Sequence, residues 1–295
     1  IYGAAYPYAK SFGSGDAKAV AALTRDDLIA FQQAWIRPDK AKIFVVSDRP
    51  LAEVKAAFDA RFGDWTPTGQ AGAKDFNVKA APSAPKIVLI DRPDSPQSFI
   101  IAGIPTRLVG TDDLLPVITA NDTLGGDFLS RVNMDLREAR HWSYGVNGSF
   151  RRAQHDTPYL LGTGVQADKT GESIKSLRTD FAEFLTTKGI TKEEFDRTIT
   201  DAISSLPGNF ETSGAVLGAL QQNDLYRRPD DYYATLPQKY RAMTAAELDA
   251  AARTAIDPAK TVWIVVGDAA KVRGQLDSIG LPVEVVPAAS VADAR

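Results

Sequence analysis

The sequence has no cysteine and only two histidines and two methionines among its 295 residues. Without cysteine there is no disulfide, no thiolate nucleophile and no Cys-ligated metal. The histidines, His141 and His155, form neither a His-x-x-x-His nor a His-x-x-Glu-His pair, which excludes the ordinary zinc constellations. No apolar run approaches the roughly 18 residues of a membrane-spanning helix. The net charge is only −3, so there is no basic footprint for nucleic acid. A Gly-x-Ser-x-Gly elbow, a Walker sequence and a Gly-x-Gly-x-x-Gly opening a helix are all missing. The lack of cysteine fits an exported protein, and the expected compartment is the periplasm. The chain opens at Ile1 with no Met, basic stretch or apolar leader, and it reads as starting inside a longer protein.

What remains is ordinary soluble composition, 44% hydrophobic and 24% charged, at a length typical of two domains. An internal repeat organises it. At an offset of 220 residues, Ala22, Thr24, Leu28, Ala30, Ile36, Pro38, Lys40, Val45, Val46 and Asp48 recur without a gap as Ala242, Thr244, Leu248, Ala250, Ile256, Pro258, Lys260, Val265, Val266 and Asp268. Thr24 and Thr244 are helix N-caps, each followed three residues later by an acid, Asp27 or Glu247, in the capping-box position. Pro38 or Pro258 ends the helix. A β-branched run of strand length follows, Ile43–Val46 or Val262–Val266, and then a second helix. The spacing predicts a helical pattern from Asp16 to Phe31 as well.

The repeat sets the domain boundaries. Residues 1–65 read as the closing third of a first module and 66–85 as a flexible linker of Thr, Pro, Gly, Ala and Ser. Residues 86–287 read as a complete second module, and 288–295 as a tail. Within it, strands are expected at 86–91, 98–104, 143–152, 158–167 and 261–266. Helices are expected at 113–122, 128–140, 170–187, 191–206, 211–223, 231–241, 245–255 and 269–278. Early strands, a block of helices and one late strand argue an α+β fold: a mixed or antiparallel sheet with helices packed on one side.

The segment Leu124–Ser149 carries the densest pattern. Gly125-Gly126 predicts a flexible turn, Asp127 a helix cap, and Phe128, Val132, Leu136 and Ala139 a buried stripe. Arg131 has Asp127 and Asp135 four residues to either side and reads as a surface ion-pair partner. Arg137 has no acid three or four residues away and projects without a local partner. Tyr144 follows in the next strand, where side chains alternate between faces. On the residues alone, a solvated arginine and a core tyrosine are the favoured reading of this pattern, ahead of a functional pair.

Gly-Gly-x-Phe-x-Ser-Arg, then Leu-Arg-Glu-x-Arg, then a Tyr seven residues after the first Arg resembles the second-module signature of the pitrilysin/insulinase zinc metallopeptidases, which include mitochondrial processing peptidase. Tyr6-Pro7-Tyr8, Leu23–Leu28, Arg37-Pro38-Asp39 and Phe62-Gly63-Asp64-Trp65 are similar to the close of a family module, as is Gly267-Asp268. The resemblance implies paired α+β modules that enclose a peptide, with an inverted His-x-x-Glu-His zinc site in one and an Arg/Tyr pair in the other. It assigns Arg137 and Tyr144 to the catalytic contacts and Gly125, Gly126 and Phe128 to substrate binding. It leaves this chain with no cofactor of its own, zinc being held by the missing module or a partner chain. The implied function is the non-zinc half of a metalloendopeptidase, clamping a peptide substrate. The alternative is a non-catalytic scaffold or regulatory partner of an active homologue.

Overall fold

The computed structural model describes residues 1–3, 6–7, 17–75 and 79–292. Tyr8 and the expected helix start at Asp16 lie outside them. Among the described residues the first 65 hold three α-helices, α1 (Ala17–Ala22), α2 (Arg25–Trp35) and α3 (Leu51–Phe62). A sheet-bearing module follows: β1 (Lys86–Asp91), β2 (Gln97–Ile104), α4 (Leu115–Asn121), α5 (Arg131–Asn133), β3 (Ser143–Phe150), β4 (Tyr159–Gln166), α6 (Thr170–Leu185), α7 (Lys192–Ser204), α8 (Ser213–Leu225), α9 (Tyr232–Ala242), α10 (Ala245–Ala255), β5 (Val262–Gly267), α11 (Ala269–Asp277), β6 (Val283–Pro287) and α12 (Ala288–Ala292). Two π-helical turns, Asp122–Gly126 and Met134–Ala139, extend α4 and α5. β6 was not expected from the sequence.

The six strands form one mixed sheet in the order β3-β4-β2-β5-β1-β6. β1 runs parallel to β5 and β6, and the other pairs are antiparallel. Alternation along each strand sends Ile87, Leu89, Ile100, Ala102, Leu161, Val165, Trp263 and Val265 to one buried face. Ile174, Leu177, Phe181 and Phe184 of α6, Leu248 of α10 and Val272 of α11 close over them. Each such Leu, Ile or Phe contributes about 1.5–3 kcal/mol by leaving water. The other face stays partly open, with Phe99 half exposed and Ile101, Ile264 and Val266 only partly covered. This is the α+β arrangement expected, with helices on one side.

The two copies of the repeat separate local from tertiary encoding. Thr24 and Thr244 both close capping boxes, with Asp27 and Glu247 respectively, and α2 and α10 are both 11 residues long. The strand does not repeat. Val262–Gly267 is a central strand between β2 and β1, whereas Ile43, Val45 and Val46 are exposed and belong to no strand. A helix cap is satisfied within four residues, but a strand needs a neighbour to take its backbone hydrogen bonds. None of α1, α2 or α3 holds a buried residue.

The described part of 66–85 is tied down rather than free. Arg37, itself buried, donates from Nη1 to the carbonyl oxygens of Thr68 at 2.6 Å and Gly69 at 3.1 Å. Gly72 donates its amide to Ala34, and a Cβ there would lie 2.4 Å from the Trp35 ring. At the other end Ala81 and Ser83 donate to the carbonyls of Tyr2 and Ile1. Composition showed the lack of apolar residues but not these backbone bonds.

Candidate functional site

β3 is an edge strand, and its free side is occupied by side chains rather than by another strand. The Val146 amide donates to Asn133 Oδ1 at 2.9 Å, and Asn121 Nδ2 donates to the Gly148 carbonyl at 2.8 Å. Both asparagines are buried, and both sit where a regular helix passes into a π turn. They block the edge against further strand addition. The register of β3 with β4 breaks between Ser143 and Val146. Ser143 Oγ and Thr163 Oγ1 stitch that bulge, both donating to the Gly145 carbonyl, at 2.9 and 3.0 Å. A bulge re-aims the side chain it carries. Tyr144 is accordingly 90% exposed, so the core alternative for it is ruled out.

Arg137 arrives from the second π turn. Its guanidinium lies 4.3 Å from the centre of the Phe128 ring, and its Nε is 3.5 Å from Glu138. It therefore has two local partners, at positions −9 and +1, that lie outside the three- and four-residue spacing of a helix face. The chain turns from the helix to β3 at His141, which takes a left-handed φ of 58°. His141 Nδ1 donates to the Arg137 carbonyl at 3.1 Å. Asn133 Nδ2 donates to the Phe128 carbonyl at 2.6 Å, so one buried amide side chain fixes Phe128, and with it Arg137, relative to β3.

Arg137 and Tyr144 both line two adjoining hollows of about 310 and 320 Å³. Gln97, His141 and Gln166 border the first; Gly126, Phe128 and Gly162 border the second. The site thus offers a permanent cation and a phenol hydroxyl side by side, both hydrogen-bond donors and both reachable from solvent. Gly125 is different. It is buried, and a Cβ there would come within 2.9 Å of the Tyr159 hydroxyl. The Gly125-Gly126 pair permits close packing inside a π turn and is not a flexible turn. Asp127 does not cap a helix; it accepts the Leu129 amide, and Ser130 is the N-cap of α5. Phe128 and Ala139 are exposed, while Val132 and Leu136 are fully buried. Phe128 falls outside the stripe because the helix begins only at Arg131, and Ala139 closes the second π turn on its exposed side. Asn133, Glu138 and Thr163 were missed. An asparagine beside Val132 on a buried helix face was the one available signal.

Arg131 is not a surface ion-pair partner of Asp127 or Asp135. It binds Glu194 through Nε at 2.8 Å and Nη2 at 2.7 Å, and donates to the carbonyls of Lys188 and Gly189. The guanidinium also stacks on Phe184 at 5.1 Å. It straps the turn between α6 and α7 to the short helix that carries the site. Asp135 instead pairs with Arg140.

Two carboxylates near these helices hold protons to unusually high pH. Burial, then the charge of Asp127, pushes Asp122 up to about 7. Burial, then Asp135 nearby, pushes Asp180 up to about 7 against the pull of Arg140 and Arg131. Both folded values lie above the unfolded value of about 4, so the folded chain keeps protons the unfolded chain has lost. The stability this contributes is full below about pH 4 and is lost as pH rises through 7. Asp122→Asn and Asp180→Asn are each expected to stabilise the fold at pH 8 by about 1–2 kcal/mol, after discounting for solvent screening, and by less at pH 4.5. Urea unfolding at both pH values checks this; equal effects at the two would contradict it.

Comparison with known proteins agrees with the fold. The family description "Peptidase M16 inactive domain" matches residues 22–201, across 66–85 and through Arg137 and Tyr144. The uncharacterized zinc protease YmxG of Bacillus subtilis is 24% identical over 222 residues, 72% of this chain and 50% of that protein. The uncharacterized zinc protease SCO5738 of Streptomyces coelicolor is 23% identical over 216 residues, 72% of this chain and 46% of that protein. The chain therefore spans about half the length of these relatives. The crystal structure of a peptidase M16 inactive domain from Pseudomonas fluorescens superposes with a TM-score of 0.80 at 25% identity, covering 91% of this chain and 62% of that one. The family description covers more than half of the sequence, and the chain belongs to the M16 peptidase family, of which it carries the inactive domain.

Proposed function

We propose that this chain is the substrate-clamping half of a zinc endopeptidase, holding a peptide through Arg137 and Tyr144 opposite a zinc-bearing module of the same protein or of a partner chain. The observation that carries this is the bulge at Tyr144. A stitched irregularity places a phenol hydroxyl in the same groove as an arginine, where both can donate to a peptide carbonyl and to the oxyanion it becomes. A scaffold without catalysis, the rival reading, gains nothing from such a pair. Gly126 and Phe128 border the substrate in this reading, and Gly125 supports them from behind.

The chain's own donors do not fit zinc. His141 is engaged with the Arg137 carbonyl, and among the described residues no group of three His, Cys, Asp or Glu is placed to hold a metal. The zinc and the general base are therefore assigned to the other module, and this chain is left with the hydrogen bonds that Arg137 and Tyr144 donate to the carbonyl. Metal analysis and a peptide-hydrolysis assay test the division. The chain alone should carry no stoichiometric zinc and cut nothing, and should restore cleavage when joined to a module bearing His-x-x-Glu-His. One zinc per chain, or cleavage by the chain alone, would overturn it. We place the protein in the periplasm on its lack of cysteine; no described helix is long and apolar enough to cross a membrane. Cell fractionation tests the compartment.

Residues 1–65 are read as the closing part of an equivalent module. In that reading Ile43–Val46 becomes a strand when the other strands of its sheet lie beside it, as Trp263–Val266 does between β2 and β1. In the chain alone, amides 43–46 are expected to exchange with solvent orders of magnitude faster than amides 263–266. Equal protection of the two runs in a hydrogen-exchange experiment would sink this reading.

A further inference from the structure

The loop between β3 and β4, the turn between α8 and α9, and α9 itself bring together three cations, Arg152, Arg228 and Lys239, that pair with no acid among the described residues. The Arg228 guanidinium lies 4.2 Å from the Tyr232 ring centre, 5.5 Å from Tyr226 and 5.9 Å from Tyr233. Its Nη1 donates to the Tyr233 hydroxyl at 3.1 Å. Arg152 stacks on Tyr226 at 4.2 Å while donating to the Gly110 carbonyl, and Lys239 stands 4.6 Å from Tyr232. Tyr226 and Tyr232 thus each carry two cations. None of the ion pairs among the described residues includes Arg152, Arg228 or Lys239. Asp230 and Asp231, next in the chain, enter none either, and Asp113, whose charge reaches Tyr232, accepts the Leu115 amide.

This arrangement is unfavourable for the chain on its own. Arg228 Nε is shut away from solvent with no acceptor, which costs about 1–3 kcal/mol. Burial and the neighbouring Arg228 charge both work against the Arg152 cation. Stacking on tyrosine offsets only part of this, about 0.5–2 kcal/mol per pair. A cluster serving packing alone would be better off with one carboxylate in its middle. We propose that the Arg152–Arg228–Lys239 cluster is a binding site for carboxylates, occupied by an acidic stretch of a polypeptide. The cluster also lies at the far end of the β3–β4 hairpin from Tyr144. A peptide lying over the sheet beside that eight-residue strand, roughly 25 Å, without pairing to its blocked edge, would reach both. The choice of a peptide as ligand rests on the clamping role proposed above; the carboxylate site itself does not.

The test is fluorescence anisotropy on this chain with two labelled peptides of equal length, one with a tract of six glutamates and one neutral, and inorganic phosphate as competitor. The acidic peptide should bind at least tenfold more tightly than the neutral one and weaken as salt rises. Arg228→Gln should cost it on the order of tenfold with no effect on the neutral peptide. Lys239→Gln, which removes a charge that enters no ion pair, should cost severalfold and decides the matter if Arg228→Gln fails to fold. Arg137→Ala, which removes a contact to the peptide backbone, should act alike on the acidic and the neutral peptide, so failure of the groove and failure of the cluster can be told apart. Equal binding of the two peptides, or full affinity in both cluster variants, overturns the site. Binding of phosphate without binding of the acidic peptide overturns the polypeptide as its ligand.

Discussion

Arg137→Ala and Tyr144→Phe are each expected to lower kcat of the complete peptidase on the order of 10²–10³-fold, with a much smaller change in KM. Removing one donor to a developing oxyanion typically costs about 2.7–4 kcal/mol of transition-state stabilisation. The loss falls on kcat because the oxyanion carries its full charge only in the transition state. The geometry makes these substitutions clean. Tyr144 is almost wholly exposed, so losing its hydroxyl removes no packing. Arg137 stacks on the exposed Phe128 and pairs at 3.5 Å with the exposed Glu138, contacts worth roughly 1 kcal/mol or less to the fold. Steady-state kinetics beside thermal unfolding checks this. Full activity in Arg137→Ala would remove the residue from catalysis, and a large fall in melting temperature would make it structural.

Arg131→Ala, six residues earlier, is expected to do the reverse: destabilise the fold by about 3 kcal/mol with little direct effect on kcat. Arg131 and Glu194 are 20% and 18% exposed, paired through two hydrogen bonds, and Arg131 also satisfies the carbonyls of Lys188 and Gly189. Removing one partner of a largely buried pair leaves the other charge and two carbonyls uncompensated, at a cost of about 3–5 kcal/mol, taken at the lower end for the remaining solvent contact. Glu194 is held below the ordinary carboxylate range, burial opposing and the hydrogen bond from Arg131 favouring its charge. That pair should consequently be lost on acidification, and the gap between wild type and Arg131→Ala should narrow at low pH. Urea unfolding at pH 7 and pH 3 measures both effects. A change under 1 kcal/mol at pH 7 would return Arg131 to the role its i±4 neighbours suggested.

What could be read from the sequence follows from how far each feature reaches along the chain. Capped helices were legible because Thr24 with Asp27, Thr191 with Glu194 and Thr244 with Glu247 close their boxes within three residues. The central strands were legible because alternation and β-branching mark β1, β2 and β5 directly. The pairing of Arg131 was not, since Glu194 lies 63 residues away while two acids stood at helical spacing and drew the wrong inference. The π turns were equally hidden. Nothing local in Asp122–Gly126 announces one; it follows from packing Gly125 against Tyr159 and turning Asn121 toward the Gly148 carbonyl. Ile43–Val46 shows the opposite failure, strand propensity with no neighbour to pair with. For the site, the order of Gly-Gly-x-Phe, Leu-Arg-Glu and Tyr points to Arg137 and Tyr144 only through a resemblance, and only the bulge explains how a residue in a strand comes to share a groove with one on a helix.

Arg137 and Tyr144 are proposed to touch the substrate. A photo-activated crosslinking residue in place of Tyr144, in a complete peptidase whose zinc-module base has been removed so that peptide stays bound, tests it directly. The account predicts a covalent adduct between position 144 and residues flanking the uncut bond, with the same probe at Arg107, on the surface lined by Pro105 and Ile256, giving none. Capture of the peptide at 107 and not at 144 would contradict it.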